Sequence, residues 1–485
     1  MVGGINCHTA GISRSGLKEI GEDPTDPGGY FIAGNGEYAV QLLENICYNM
    51  VHIYKGVKPN EHLRAEFLSQ PGGAFENSSR ICVRFMLNGQ ITIELSSVKF
   101  KSDVRLPFWL IYRLFGMTSD REVVNTIVFN TEDKSPVTAQ MIAILDRAFK
   151  LADDSFKPLI NELNREKLVQ VTAERLSTYT SASMPHITNE NAIQFLIEDL
   201  LGSPSKPGGL DKVFLHHVGM TAAARIRKLR FLGLIIHKML LVHLGVMQQT
   251  DRDSYDNKRT HDAGVSIAKA FKTQVNNTFI TQIMSALRRA LKNNSWKSIT
   301  PKSISDDFRM SIMASDLNRA MTQTITSSKD TVTVGKQVSR NRVAAQALER
   351  KNLLNVISSL RIIVAATSGA ASKTTNRADM IRRVHSSHTG YICIAQSADT
   401  GEAVGMRKQL AITVGVTSAG DADVLKAHLL ASDLIVPLDD LQNADANIMS
   451  RVFVNGEWIG ATEDAHKLVR QYRGYRRACK IVDMH

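Results

Sequence analysis

A chain of 485 residues with 43% hydrophobic and 22% charged residues is long enough for two to four domains with their own cores and has the balance of a globular protein. Its net charge of +12 and isoelectric point near 9.4 favour a polyanionic partner, because phosphates attract clustered Lys and Arg and release counterions on binding. Aromatic residues make up only 6%, which argues against stacked rings as the main grip on single strands. Five widely spaced cysteines, Cys7, Cys47, Cys82, Cys393 and Cys479, form no C-x-x-C pair. They exclude a disulfide framework or a cysteine zinc site and predict an intracellular, reducing compartment.

Residues 1–100 read as β-rich. Tyr30-Phe31-Ile32 precedes Gly34-Asn35-Gly36, and Cys82–Leu87 leads through Asn88-Gly89 into Ile91–Leu95. Asn-Gly between alternating runs predicts hairpins, since both central positions want positive φ. A hairpin also accounts for the G-x-G-x-x-A spacing of Gly34–Ala39, which lacks the βαβ context of a dinucleotide site. From about 106 to 250 the pattern is mainly helical, with an exposed loop at Gly202–Gly209. Phe231–Val246 is apolar but interrupted by His237, Lys238 and His243, so it predicts a buried core helix and no membrane span. The start MVGGINCHTAG lacks a basic and an apolar region, so no secretory signal is expected.

Phe271, Val275, Phe279, Ile283, Leu287 and Leu291 recur every four residues and predict one buried stripe on a helix from about Asp262 to Leu291. Residues 300–335 are Ser/Thr-rich and weakly patterned, and Ala344–Ile363 reads as helical. Leu425–Leu438 reads as helix or strand, and Arg451–Ile459 as a strand around Asn455-Gly456. The tail Lys467–Lys480 is amphipathic: Leu468, Tyr472, Tyr475 and Cys479 lie on one face, and Lys467, Arg470, Arg473, Arg477 and Lys480 on another. The expected class is α+β, with helical and β-hairpin domains mixed.

Asp251, Asp253 and Asp256 invite a metal reading, yet Tyr255, Asp256 and Asp262 stand where a calcium loop needs an acid or amide, a glycine and a glutamate. The acids are expected to pair with neighbouring basic groups. His385 and His388 lack the second ligand pair that zinc requires, and hydrogen bonding among imidazole, backbone and phosphate is favoured. No phosphate-binding G-x-x-x-x-G-K-[ST] loop, H-E-x-x-H or G-x-S-x-G motif occurs. Around them, Thr367–Leu410 carries six cations, Lys373, Arg377, Arg382, Arg383, Arg407 and Lys408, against Asp379, Asp399 and Glu402. Interspersed with glycines and small residues, these suit a loop-rich surface that grips an extended anion.

The order of residues in this segment resembles the fork region of the second-largest, beta-type subunit of multisubunit DNA-directed RNA polymerases, R-x-L-H-x-T-H-x-G-x-x-C-P-x-E-T-P-E-G followed by G-L-x-K-x-L. Matching positions are Arg382 or Arg383, His385, His388, Gly390, Cys393, Gly401, Gly405, Met406, Lys408 and Leu410. Further segments keep the family's order. Asp26–Ile32 with Gly34 is similar to D-P-G-G-Y-F-I-x-N-G. Asp251, Arg252, Asp253, Asn257, Lys258, Arg259, Ala263 and Gly264 follow D-D-R-D-x-x-x-N/K-K-R-x-x-x-A-G. Arg350, Asn352, Leu353, Leu360 and Arg361 fit L-x-R-x-N-x-L-x-x-L-S-H-L-R, and Arg451–Gly460 resembles R-V-F-V-N-G-x-W-x-G.

The resemblance implies a polymerase scaffold with protrusion at 1–57 and 251–325, lobe at 58–250, fork at 326–410 and the start of an external domain at 411–485. It implies a subunit of a DNA-directed RNA polymerase lining the DNA cleft. Lys373 and Arg377 would meet phosphates where strands separate, with Arg382, Arg383 and His385 supporting the loop. Arg350 and Arg361 would lie against nucleic acid or brace the fork, and His388, Arg407 and Lys408 complete the nucleic-acid-binding set. Two Mg²⁺ ions on the largest subunit would drive nucleotidyl transfer. This chain would then bind no cofactor, carry no catalytic residue and be inactive alone. Implied partners are template DNA, nascent RNA, the largest subunit, the C-terminal half of the second subunit and the other subunits. The family's C-P-x-E-T-P-E-G reads Cys393–Gly401 here without its prolines or first glutamate, which should loosen that turn. The chain ends where the family continues, so a split subunit or an incomplete frame is expected. The alternative is a non-catalytic basic nucleic-acid-binding protein on the same scaffold.

Overall fold

The structure, a computed structural model, describes residues 1–72, 78–96, 105–152, 154, 156–162, 164–176, 202–203, 206–276, 284, 314–326, 344–365, 381–417, 420–442 and 445–478. It is mixed α+β and divides into two compact units: Met1–Ile46 with Arg252–Ser418, and Cys47–Asp251 with Ala419–His485.

In the first unit, Phe31–Ala33 and Gly36–Val40 form the expected hairpin around Gly34-Asn35, with positive φ at Gly34 alone. Ala345–Ala347 adds a third strand beside Gly36–Val40. A second sheet runs in the order Lys258–His261, Leu42–Ile46, Ile362–Ala365, Arg407–Leu410, Ile392–Cys393. Its central pair is parallel, Leu43 opposite Val364, and its other pairings are antiparallel. This sheet joins segments from both ends of a discontinuous unit, so its stability depends on contacts spanning hundreds of residues.

The second unit holds a five-stranded antiparallel meander, Val51–Lys55, Glu61–Ser69, Ser79–Met86, Ile91–Ser96 and Arg105–Pro107. Alternation puts Leu63, Ala65, Phe67, Ile81, Val83, Phe85, Ile91, Ile93 and Leu95 on one buried face. The opposite face pairs charges across strands, Arg80 with Glu66 at 2.7 Å and Arg84 with Glu94 at 2.7 Å. The helix Arg225–His243 packs into the apolar core as the sequence predicts, and burial holds His237 at a pKa of about 4. Leu438, Leu441, Trp458 and Ala461 belong to the same core, so part of the 411–485 segment packs with residues expected to form the lobe.

Two hairpins differ in their turns. Val454 faces Glu457 across Asn455 (φ 48°) and Gly456 (φ 82°), the two positive values a type I′ turn needs. At Asn88-Gly89 only Gly89 is positive, at 91°. There Gly89 N donates to Met86 O and Met86 N to Gln90 O, closing a three-residue loop.

Other expectations shift. The helix at Asp262 is described over Ala263–Gln274, with the Asp262 side chain accepting from Val265 N at 2.8 Å. Its buried positions are Ser266 and Ala270, whereas Phe271 is 48% exposed. A one-residue offset turns a helical stripe by about 100°, and here the side packing towards Ile325, Ala33 and Val40 decides. Phe279, Ile283, Leu287 and Leu291 lie outside the described residues. Ala344–Ile363 is not one helix but a strand, a helix over Leu353–Leu360 and the start of another strand. Asn352 caps that helix by accepting from Asn355 N, and the β-branched run Ile362-Ile363-Val364 ends it. At Gly202–Gly209, Gly202–Ser203 pairs with Lys206–Pro207, and Gly209 is buried at a helix start.

Candidate functional site

Period-two alternation puts Leu42, Glu44, Ile363, Lys408, Leu410 and Ile392 on one face of the first unit's second sheet, with Lys258 on the adjoining strand. A buried carboxylate is costly unless paired. Glu44 is paired on both oxygens: Lys258 Nζ is 2.6 Å from Oε1 and Lys408 Nζ 2.7 Å from Oε2. The Tyr255 hydroxyl also donates to Oε2, and both ammonium groups stand over its ring, at 5.3 and 5.2 Å. His388 meets the same ring edge-on at 4.8 Å.

The segment over this face is held by short-range bonds. His385 Nδ1 accepts from Ser387 N and bonds the Ser387 hydroxyl, which accepts from Tyr255 N at 2.9 Å. His385 N donates to His388 Nδ1. Gly405, with φ +72°, lets the Arg382 backbone cross directly above it, and Arg382 donates to Val404 O at 3.0 Å.

Burial opposes the Glu44 charge, but Lys408 and Lys258 outweigh it and hold the carboxyl at about 2. Burial, then Lys408 and Lys258, lower His388 to about 4. Burial, then Lys269, lower His261 to about 4 as well. Each shift favours the folded state near neutrality and is lost on acidification. For the histidines, the unfolded chain takes up protons first, so their contribution falls from the ordinary histidine value of 6.5 down towards 4. For Glu44, the contribution is complete above 4.5 and is lost towards 2, about 3 kcal/mol in all. Urea midpoints of the wild type should therefore decline in two acid windows. His388→Gln should reduce the decline in the upper window, to which His261 and His237 still contribute, and leave the lower one; an unchanged upper window would refute the assignment.

The predicted cations divide. Lys408 is 3% exposed and His388 5%, and both side chains are engaged in the Glu44 centre. Arg361 donates to Ala411 O at 2.6 Å and Val414 O at 2.8 Å, acting as a brace. Arg350 is bound by Glu37 at 2.6 Å and Asp26 at 3.0 Å, over the Tyr30 ring. Gly28 N and the Tyr30 hydroxyl donate to Asp26, which turns Asp26–Tyr30 into a socket for that arginine. Arg383 is exposed, Arg382, His385 and Arg407 are half-buried, and Lys373 and Arg377 lie outside the described residues. Glu44 and Tyr255 escaped the sequence reading; the available signal was one acid inside the apolar strand Leu42–Ile46.

Among the described residues no group of three or more His, Cys, Asp or Glu is placed to hold a metal ion. Among them, too, no helix is long and apolar enough to cross a membrane.

Two family models match: RNA polymerase Rpb2, domain 2, over residues 88–261, and RNA polymerase Rpb2, domain 3, over 346–416. The DNA-directed RNA polymerase II subunit RPB2 of Encephalitozoon cuniculi is 23% identical across 98% of this chain and 37% of its own length. The subunit of the same name from Schizosaccharomyces pombe is 24% identical across 98% of this chain and 36% of its own. DNA-directed RNA polymerase subunit Rpo2 of Sulfolobus acidocaldarius is 24% identical, across 98% and 38%. The chain thus spans a little over a third of the length of these relatives.

Proposed function

Because the chain belongs to the Rpb2 family of second RNA polymerase subunits, we propose that it works inside a multisubunit DNA-directed RNA polymerase as part of the wall of the nucleic-acid channel. In this reading Met1–Ile46 with Arg252–Ser418 supplies protrusion and fork, and the other unit contains the lobe. The carrying observation is that likeness to polymerase subunits runs across 98% of the chain, including both segments that Glu44 ties together.

The residues of the Glu44 centre would not touch substrate. They would fix the segment Arg382–Leu410, so that Arg383 faces the template at a defined place. Preorganised cations lose little on binding, and phosphate contacts position a duplex without reading its sequence. Magnesium chemistry would belong to ligands on the largest subunit.

Affinity purification of the tagged chain from its native cells, followed by mass spectrometry, tests this. The largest polymerase subunit should be recovered with it, together with polypeptide corresponding to the rest of the second subunit. Recovery of the chain alone would overturn the proposal and favour a free-standing basic nucleic-acid-binding protein.

A further inference from the structure

We propose that the solvent face of the helix Ala465–Arg477, outside both family matches, is a second, sequence-independent binding surface for a nucleic-acid phosphate backbone. The helix is capped by Asp464, which accepts from Lys467 N at 2.9 Å. Its apolar side is used within its own unit: Leu468 and Tyr472 are each 8% exposed and pack with Leu429, Ile435, Val454 and Ile459. The Tyr472 hydroxyl bonds His428 Nδ1 at 2.9 Å.

What remains outward is cationic. Lys467, Arg470, Arg473, Arg476 and Arg477 are all exposed, and none is in an ion pair among the described residues. Between Ala465 and Arg477 the sequence contains no acid. Neighbours three and four apart therefore repel, from Lys467 to Arg470, Arg470 to Arg473, and Arg473 to Arg476 and Arg477. The helix dipole accounts for Arg476 and Arg477 in the last turn but opposes Lys467 and Arg470 near the first. Glu463 and Asp464 precede the first turn; beyond them no carboxylate among the described residues pairs with these cations, and an external polyanion would relieve the repulsion.

The choice of polyanion follows from what this face lacks. A basic amphipathic helix can enter a membrane surface or an apolar groove of a partner, but both modes need the apolar side that Leu468 and Tyr472 have already buried. A folded protein interface needs an apolar anchor at its centre. Val469, at 46% exposure, is the only large apolar side chain exposed on this helix among the described residues. Repeated cations with no exposed Phe, Tyr or Trp among them match phosphates and read no bases.

The test uses the full chain and a fluorescein-labelled mixed-sequence DNA duplex, with anisotropy titrations over a salt series. R470Q/R473Q/R477Q should lower the slope of log affinity against log salt by about 3 and weaken binding on the order of tenfold at moderate salt. Its urea midpoint should equal or exceed that of the wild type, because repulsion is removed. K150Q/K157Q/K167Q removes the same charge from lysines already paired with Asp146, Asp154 and Glu162 and should leave the slope unchanged. Equal slopes for wild type and the arginine variant would overturn the proposal. So would displacement of the DNA by poly-glutamate at lower charge concentration than by unlabelled duplex, which would assign the face to an acidic protein. The result does not depend on which subunits copurify.

Discussion

Glu44→Ala is expected to destabilise the unit built from Met1–Ile46 and Arg252–Ser418 by about 3–5 kcal/mol, the usual cost of stranding a buried charge. The side chains of Glu44 and Lys408 are 5% and 2% exposed, and that of Lys258 is 9% exposed. Without the carboxylate, two ammonium groups face one another and the Tyr255 ring in a region that water hardly reaches. The ring faces attract cations, but two such contacts are weaker than two direct ion pairs. Lys258→Met is the decisive comparison. It removes the surplus cation and leaves Glu44 matched one-to-one with Lys408, so its expected cost is about 1 kcal/mol. Urea unfolding of both variants, with hydrogen exchange followed in Leu42–Ile46 and Ile362–Ala365, gives the order. If Lys258→Met proves the more damaging, the carboxylate is not the hub.

This centre also shows what a sequence can and cannot disclose. Short-range features were legible: the hairpin at Gly34-Asn35 and the apolar helix Arg225–His243 each follow from residues near one another in the chain, whereas the single strand expected around Asn455-Gly456 is two strands joined by a type I′ turn. The basic segment holding His385, His388 and Lys408 was legible as a unit. The direction its side chains take was not. Lys408 looks like a surface cation until Leu42–Ile46, more than 360 residues earlier, is laid two strands away and brings Glu44 to it. Arg350 likewise becomes a structural residue only when Asp26 and Glu37 are beside it. Long-range strand order decides whether a cation faces solvent or a partner, and local periodicity carries no record of strand order. Phe271 failed for a related reason: its four-residue spacing is genuine, but the neighbouring Ser266–Ala270 side is the one the sheet covers.

The second large effect is expected at Gly405, where Gly405→Ala should cost about 3 kcal/mol or more and loosen the Arg382–Tyr391 segment. Two penalties coincide there. The φ of +72° places any L side chain in the left-handed region, about 1–2 kcal/mol by itself. A Cβ would also lie 2.3 Å from Arg382 Cα and 2.4 Å from Arg382 O, backbone atoms that cannot rotate away as a side-chain end could. Relief would require lifting the segment that carries His385 and His388 from the sheet, weakening the Tyr255–Ser387 bond and opening the Glu44 centre to water. Gly401→Ala separates the two penalties, since Gly401 has φ +58° but no atom within 4 Å of where a Cβ would stand. It should show the conformational cost alone, about 1 kcal/mol. Urea midpoints rank the pair, and hydrogen exchange at Ser387–Tyr391 locates the damage. Equal costs at the two glycines would mean that the Arg382 crossing is not close-packed. A larger cost at Gly405, with faster exchange at Ser387–Tyr391, would mark the crossing as the element that holds the cationic segment on its buried carboxylate.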